Sequence, residues 1–417
     1  MIYNIKDFGA VADGRTLNTK AIQAAIDACH ENGGGRVLVE DGVYMFGTIV
    51  LKSNTDLHIA ANATLLGSPR CEDYPERGDV KHVDTSKLPR WRNACYIFCE
   101  ESENVSVTGM GKIDCNGTYF VDSGNNDTNW KYRRIDAPTP PRVLFFTGCK
   151  NVKFEDFTVV NQPSGWCLWI HDCDYVTCDK LKINSSVEYP NNDGIHVNSS
   201  RNVCISNCTI TCGDDCIVVR ANNSSLKENK ICEKVTVTNC NLTSYSAGIR
   251  IGWENDGTIR NCTFSGIVMT DTSVGVDMTL PYHPARETNS YADLGREATL
   301  IENLSFDNII MDGVYGEPVK IWFTDNEETR IEAVRNIYFS NLHVRGPRGI
   351  NLVGRANKPI DNVRFSNCTF EMTDYSYFGG RAVHGTQNAS YSHGGYPNLK
   401  NCDRVVFDCV EFKNLRR

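Results

Sequence analysis

Nowhere in the 417 residues does an apolar run approach the roughly 20 residues that a bilayer-spanning helix needs, so no membrane partner is expected. Basic residues are fewer than acidic ones, 43 against 51, and the net charge is −8. A general positive field that would hold a nucleic acid is therefore missing, and no nucleic-acid partner is expected. No two cysteines stand at C-x-x-C spacing, so the commonest zinc-ribbon signature is absent. The N-terminus has no basic stretch followed by an apolar one. That reads as a chain without a signal peptide, hence cytoplasmic, although a secreted protein trimmed of its leader would read the same. The Asn-x-Ser/Thr triplets are accordingly taken as turn residues, not glycan sites.

Cysteine itself is not scarce. There are 19, an odd number that cannot all pair within one chain, and many fall in settings such as Asn207-Cys208-Thr209 and Asn367-Cys368-Thr369. They read as reduced thiols used as small core fillers.

A degenerate repeat runs through most of the chain. Asn104-Val105-Ser106-Val107, Asn202-Val203-Cys204-Ile205, Asn336-Ile337-Tyr338-Phe339 and Asn362-Val363-Arg364-Phe365 are four of its copies. Most copies follow one another after about 24 to 33 residues, the length of one turn of a solenoid. Each alternates apolar and polar residues, the period of a half-buried strand. The asparagines suit the corners, because they tolerate left-handed backbone and their amides bond neighbouring backbone. The Leu-x-x-Leu-x-Leu pattern of leucine-rich repeats is absent, and the spacing is too short and irregular for propeller blades. An all-β, right-handed, single-stranded parallel β-helix fits best, as one domain over residues 1–417.

The first 60 residues differ. Ala21, Ile22, Ala25, Ile26 and Cys29 recur at helical spacing, which predicts a helix over about 16–32, with Asn18 or Thr16 at its start and Gly33-Gly34-Gly35 at its end. Such a helix would cap the open end of the stack. The charged stretch at about 70–93 and the Gly-, Asn- and Pro-rich stretch at 119–141 read as long loops walling a cleft.

Two acidic motifs stand about one coil apart, Asn192-Asp193-Gly194 and Gly213-Asp214-Asp215. One coil of separation makes them neighbours on adjacent strands, about 4.8 Å apart along the stack. Three carboxylates then share a patch, and paired carboxylates are what glycosidic hydrolysis uses. Gly213 is expected to give the backbone the freedom to present two successive aspartates to one site.

Asp7-Phe8-Gly9-Ala10-Val11-Ala12-Asp13-Gly14 resembles the opening signature of pectin-active β-helix enzymes. Asn192-Asp193-Gly194-Ile195 and Gly213-Asp214-Asp215-Cys216-Ile217 resemble the two acidic motifs of glycoside hydrolase family 28, the polygalacturonase family. The resemblance implies a pectin-lyase-like fold and inverting hydrolysis of galacturonate- or rhamnogalacturonan-type poly- or oligosaccharides, with no cofactor and no metal; action from chain ends is the mode expected. It implies Asp214 as general acid, with Asp193 and Asp215 positioning and deprotonating water. Two departures stand out. Ala247 occupies the place of a histidine between glycines. Pro318-Val319-Lys320 aligns with a later Arg-Ile-Lys motif, keeping the lysine but not the arginine.

Candidate carbohydrate-binding residues are Asn192 in the first motif, Lys320, the cations Arg250 and Arg220, His196 as a stand-in histidine, and the aromatics Trp166, Trp253 and Tyr282. Stacking of a pyranose on a tryptophan face is the chemistry expected of these rings. Two other readings remain open at this point. One is a calcium-dependent lyase with Arg250 as base, and the other is a non-catalytic carbohydrate-binding β-helix. The carbohydrate is the expected partner, and oligomeric state is not legible.

Overall fold

The computed structural model describes residues 1–88, 93–123, 131–135, 137–254, 256–281, 298–323, 330–374 and 397–415. Nearly every strand pairs in parallel with the strands one coil before and one coil after it. One wall holds eleven strands. It starts at Ile49–Val50, Cys95–Glu100, Arg142–Thr147 and Trp166–His171. It continues through Ile195–Asn198, Ile217–Arg220, Ala247–Ile251 and Val274–Leu280, and ends at Val319–Phe323, Asn351–Val353 and Asn398–Lys400. The remaining walls form a 21-stranded network. This is a parallel β-helix.

The repeated asparagines make its corners. Asn104, Asn151, Asn261, Asn303, Asn336 and Asn362 all have left-handed backbone, with φ from 53° to 57°. They also bond one another up the stack. The amide of Asn336 donates to Asn303 Oδ1 at 2.9 Å, and that of Asn362 donates to Asn336 Oδ1 at 2.7 Å. A second ladder runs along the next corner, where Asn367 donates to Asn341 at 2.6 Å. Asparagine supplies both needs at once: a residue that accepts positive φ and a side chain with a donor and an acceptor.

Inside, like residues stack on like. Phe264, Phe306, Phe339, Phe365 and Phe407 lie with successive ring centroids 4.7, 4.9, 4.8 and 5.2 Å apart. Fifteen of the cysteines are buried and all 19 are free thiols; Cys204 and Cys409 are exposed. Cysteine thus serves mainly as core filler.

The capping helix is Thr19–Glu31, within the expected span. It buries Ile22, Ala25, Ile26 and Cys29 against the first coil, and left-handed Gly33 and Gly34 follow it. Asn18 stands at its start, but its side chain makes no cap. It bonds Val11, Thr16 and Met45 instead, tying the entry turn to the next coil.

The two expected loops are more ordered than plain loops. The first contains single turns at Cys71–Asp73 and Thr85–Lys87. The second contains the antiparallel pair Val121–Asp122 and Arg133–Arg134. The first loop folds over the outside of the eleven-strand wall. Val83 and Leu88, joined by Leu226 from a later loop, form an apolar cluster with Cys95, Phe98, Phe145, Trp166 and Trp169. The Asp84 N–H donates to the Ser225 carbonyl at 2.8 Å and links the two loops. The outer face of the wall is thereby covered on the side of the earlier coils.

Candidate active site

The two acidic motifs meet on the eleven-strand wall. Ile195 is in register with Ile217, and Ile217 with Ile249. Asp193 and Asp215 each precede their member of the first pair by two residues, so they stand side by side one coil apart. The Gly194 N–H donates to the Asp215 carbonyl at 2.9 Å. Asp193 and Asp215 are 4% and 5% exposed, while Asp214 is only half-buried.

Their local supports differ. Asp214 Oδ2 accepts the Asn191 amide at 2.9 Å. Asp215 Oδ1 accepts Ser246 Oγ at 2.8 Å and the Ala247 N–H at 3.1 Å, while its Oδ2 accepts Arg250 Nε. Asp193 Oδ2 lies 3.4 Å from His196 Nδ1. Gly213 has no left-handed φ. A side chain there would strike the Tyr189 carbonyl at 2.2 Å and Asn192 Oδ1 at 2.7 Å. Close approach, not backbone freedom, is the reason for this glycine.

Asn192 is not a substrate contact. It is fully buried, and its Oδ1 accepts the N–H groups of Gly213 at 2.7 Å and Asp214 at 3.2 Å. It splints the two motifs together. Arg220 is likewise engaged by the protein. Its Nε reaches both oxygens of buried Asp256, at 2.9 and 2.8 Å, and Nη2 donates to the Glu254 carbonyl. Its charge is spent on that pair, although its flank lines a small recess with Trp169, His171, His196, Asn198 and Asn222.

Trp166 is no open sugar platform. Its ring is stacked on His196 at 4.0 Å, and the Arg142 guanidinium lies 3.9 Å from its centroid. His196 is buried beneath it. Burial above all, with Arg220 and Arg142 nearby, pushes its pKa well below the usual histidine value, so the ring is neutral. His171 is pushed down to about 3, chiefly by burial, with His82 and Arg142 adding to the effect. Trp253 is half-buried under the Arg250 guanidinium, 4.6 Å from its ring centroid. Tyr282 lies outside the described residues.

Arg250 faces the carboxylates. Besides Asp215 it has a second acidic partner, Asp277, at 3.3 Å from Nη1. Asp277 was missed by the sequence reading. It sits in Val274–Leu280, the coil that directly follows Ala247–Ile251, in register with Arg250. Lys320 is one coil further still, in register with Asp277. Counting coils from Ala247, about 30 residues apart, would have found Asp277 in Gly275-Val276-Asp277. Asn191, Ser246 and Asp256 were also missed. They act only as partners of other site residues and carry no motif of their own.

Three aspartates gathered on one wall of a parallel β-helix supply the paired carboxylates that glycosidic hydrolysis uses. The model of glycosyl hydrolases family 28 matches residues 80–233, and that of the rhamnogalacturonase A/epimerase, pectate lyase-like group matches residues 2–74. A probable polygalacturonase of Arabidopsis thaliana is 26% identical over 74% of this chain and 67% of its own length. An exo-poly-α-D-galacturonosidase of Dickeya chrysanthemi is 27% identical, over 52% of this chain and 41% of its own. The chain thus spans between two fifths and two thirds of the length of these curated relatives. The exopolygalacturonase of Thermotoga maritima has the same fold, with a TM-score of 0.70 at 23% identity over 89% of this chain and 87% of that one. The polygalacturonase of Erwinia carotovora has it too, with a TM-score of 0.68 at 20% identity over 95% of each chain. The chain is polygalacturonase-like, and residues 80–233 carry its similarity to glycosyl hydrolases family 28.

Proposed function

We propose that the chain is an inverting glycoside hydrolase that removes sugars from the ends of pectin-derived oligosaccharides. The observation that carries this is the placement of Asp193 and Asp215 side by side on adjacent coils, with Asp214 half-buried at their edge. Asp214 is assigned as general acid. It is the most accessible of the three, and a proton donor must reach the leaving oxygen. Asp215 receives three donors, which suits an acceptor-only carboxylate. With Asp193 it is assigned the water that attacks from the opposite face of the sugar. Two separated carboxyl functions with water between them are the arrangement of inversion.

Action at chain ends is supported by the loops. The outer face of the wall is covered by the cluster of Val83, Leu88 and Leu226 on the side of the earlier coils. A polymer laid along the wall would meet that cover close to Trp166 and His196, so one end of the substrate has to stop there.

The test is digestion of a panel of galacturonan and rhamnogalacturonan oligosaccharides, with product anomers followed by NMR. Release of terminal sugar with inverted configuration is expected. Retained configuration, or an unsaturated product whose formation stops with a chelator, overturns the assignment. Asp214→Asn is expected to lower kcat by about 100-fold or more without changing the fold, the loss typical of a removed general acid.

A further inference from the structure

Side chains alternate along the strand Ile195–Asn198. Ile195 and Val197 turn into the core of the coil, so His196 stands on the outer face of the wall. It is in register with Trp169 one coil before and Val218 one coil after. Such a face is wet unless something covers it. His196 is only 3% exposed, because the Trp166 ring lies on it, with centroids 4.0 Å and planes 26° apart. Trp166 in turn carries the fully buried Arg142, its register partner on the preceding coil, whose guanidinium is 3.9 Å from the Trp166 ring and 4.4 Å from that of Trp169.

The stacked ring turns Nδ1 towards Asp193, 3.4 Å from Oδ2. Residues three apart on an extended chain would point to opposite faces. The bend at Gly194 brings Asp193 round to the side of His196. The main chain before that bend is pinned from the preceding coils. The Asp193 carbonyl accepts the Cys167 N–H at 2.9 Å and the amide of fully buried Gln162 at 2.8 Å. The backbone of Asp193 is thus held by Cys167 and Gln162, and one oxygen of its carboxylate by His196.

The chemistry sets the direction of that last bond. Burial above all, then Arg220 and Arg142, with His171 and Arg250 after them, keeps His196 neutral. A neutral imidazole has one N–H, and a carboxylate only accepts. The proton therefore sits on Nδ1 and is donated to Asp193 Oδ2. A ring so covered is a poor base and no sugar contact. What it controls is the rotation of the Asp193 carboxylate about Cβ–Cγ.

Resting on the hydrolase reading above, we propose that His196 is a positioning residue for the attacking water: its Nδ1–H fixes the carboxylate of Asp193, and the Arg142–Trp166 stack fixes His196. A water misplaced by about 1 Å costs on the order of 100-fold in rate. Because His196 acts through Asp193, its loss is felt in kcat and not in KM.

Two variants separate the donor from the packing. His196→Asn keeps an N–H close to the place of Nδ1, whereas His196→Leu fills most of the volume without a donor. On the best substrate of the glycan panel, His196→Leu is expected to lose about 10- to 100-fold in kcat with KM within about 2-fold, and His196→Asn to return to within about 5-fold of wild type. Circular dichroism checks the fold of each. An unchanged kcat in His196→Leu overturns the proposal, as does a folded His196→Asn no faster than His196→Leu. Long-range proton–nitrogen NMR of the histidine rings reads the bond without catalysis, with His196 assigned through its contacts to the Trp166 ring. A neutral ring protonated on Nδ1 is expected at pH 7, with that fixed tautomer lost in Asp193→Ala. A ring protonated on Nε2 or on both nitrogens, or a tautomer indifferent to Asp193→Ala, overturns the proposal. If neither His196 variant folds, this spectrum decides. A wild type that hydrolyses nothing in the panel defeats the hydrolase reading, and this proposal with it. An active wild type with any of the contrary results defeats this proposal alone.

Discussion

The corner asparagines show how one residue type can carry a fold. Asn303 has φ of 57°, donates its amide to Asn261 and accepts from Asn336. Asn303→Gly keeps the backbone and loses the ladder, whereas Asn303→Ala loses the ladder and also forces a Cβ into left-handed backbone. Alanine is therefore expected to cost about 1–3 kcal/mol, and glycine less, despite its greater chain entropy. Urea unfolding of both variants checks the order, and a glycine variant weaker than the alanine variant would contradict it. This logic was legible in the sequence because the need repeats: each copy of Asn-Val-x-hydrophobic reports the same corner. The site was legible for the same reason only in part. Asp193, Asp214 and Asp215 come in short motifs one coil apart. Asp277 comes alone, and only the register that pairs it with Arg250 reveals its place. Arg220 and Asn192 were visible as residue types, but their partners, Asp256 and the Gly213 and Asp214 amides, are set by folding over 20 to 40 residues. No local pattern encodes those pairs.

At the scale of elements, the strands and the capping helix follow from periodicity, while the loops do not. A loop has no period, and its path is chosen by what it packs against. The loop from 71 to 88 is held on the wall partly by His82. Its Nε2 lies 3.0 Å from Asp172 Oδ2, and its Nδ1 lies 3.4 Å from Glu101 Oε1. The bond to Asp172 raises the His82 pKa most. Burial opposes it, and the charges of Asp172 and Glu101 add to the rise. A histidine with a raised folded pKa binds its proton more tightly when docked than when free. Its contribution is therefore complete below about 6.5, the unfolded value, and is lost as pH rises through the higher folded value. The loop is expected to be better protected at pH 5.5 than at pH 8.5, corrected for intrinsic exchange, with the step abolished in His82→Gln. Hydrogen exchange of residues 79–88 is the measurement. Protection that rises with pH in the wild type would refute the tether.

Taken whole, the molecule is an open-ended stack whose groove would run along the eleven-strand wall if nothing covered it. A bare wall of this kind can accept a polymer anywhere along its length. Here the early-coil side is roofed, and the roof is attached chiefly by apolar contact, through Val83, Leu88 and Leu226 against Phe98, Phe145 and Trp169. These contacts lie outside the coil, and the core stack of Phe264 through Phe407 makes no use of them. Each buried aliphatic side chain contributes about 1.5–3 kcal/mol to docking, so two charges placed there should release the roof without unfolding the helix. The double variant Val83→Asp with Leu226→Asp is expected to keep a single cooperative unfolding transition at a somewhat lower Tm. On a long oligosaccharide it should change the product from terminal sugar alone to a mixture that includes internal fragments, while Asp214 and its neighbours still perform the cleavage. Chromatography of the early products decides the matter. If the roofless protein, still folded, releases only terminal sugar, then the restriction to chain ends arises elsewhere along the wall and the loops serve only to cover the aromatic face.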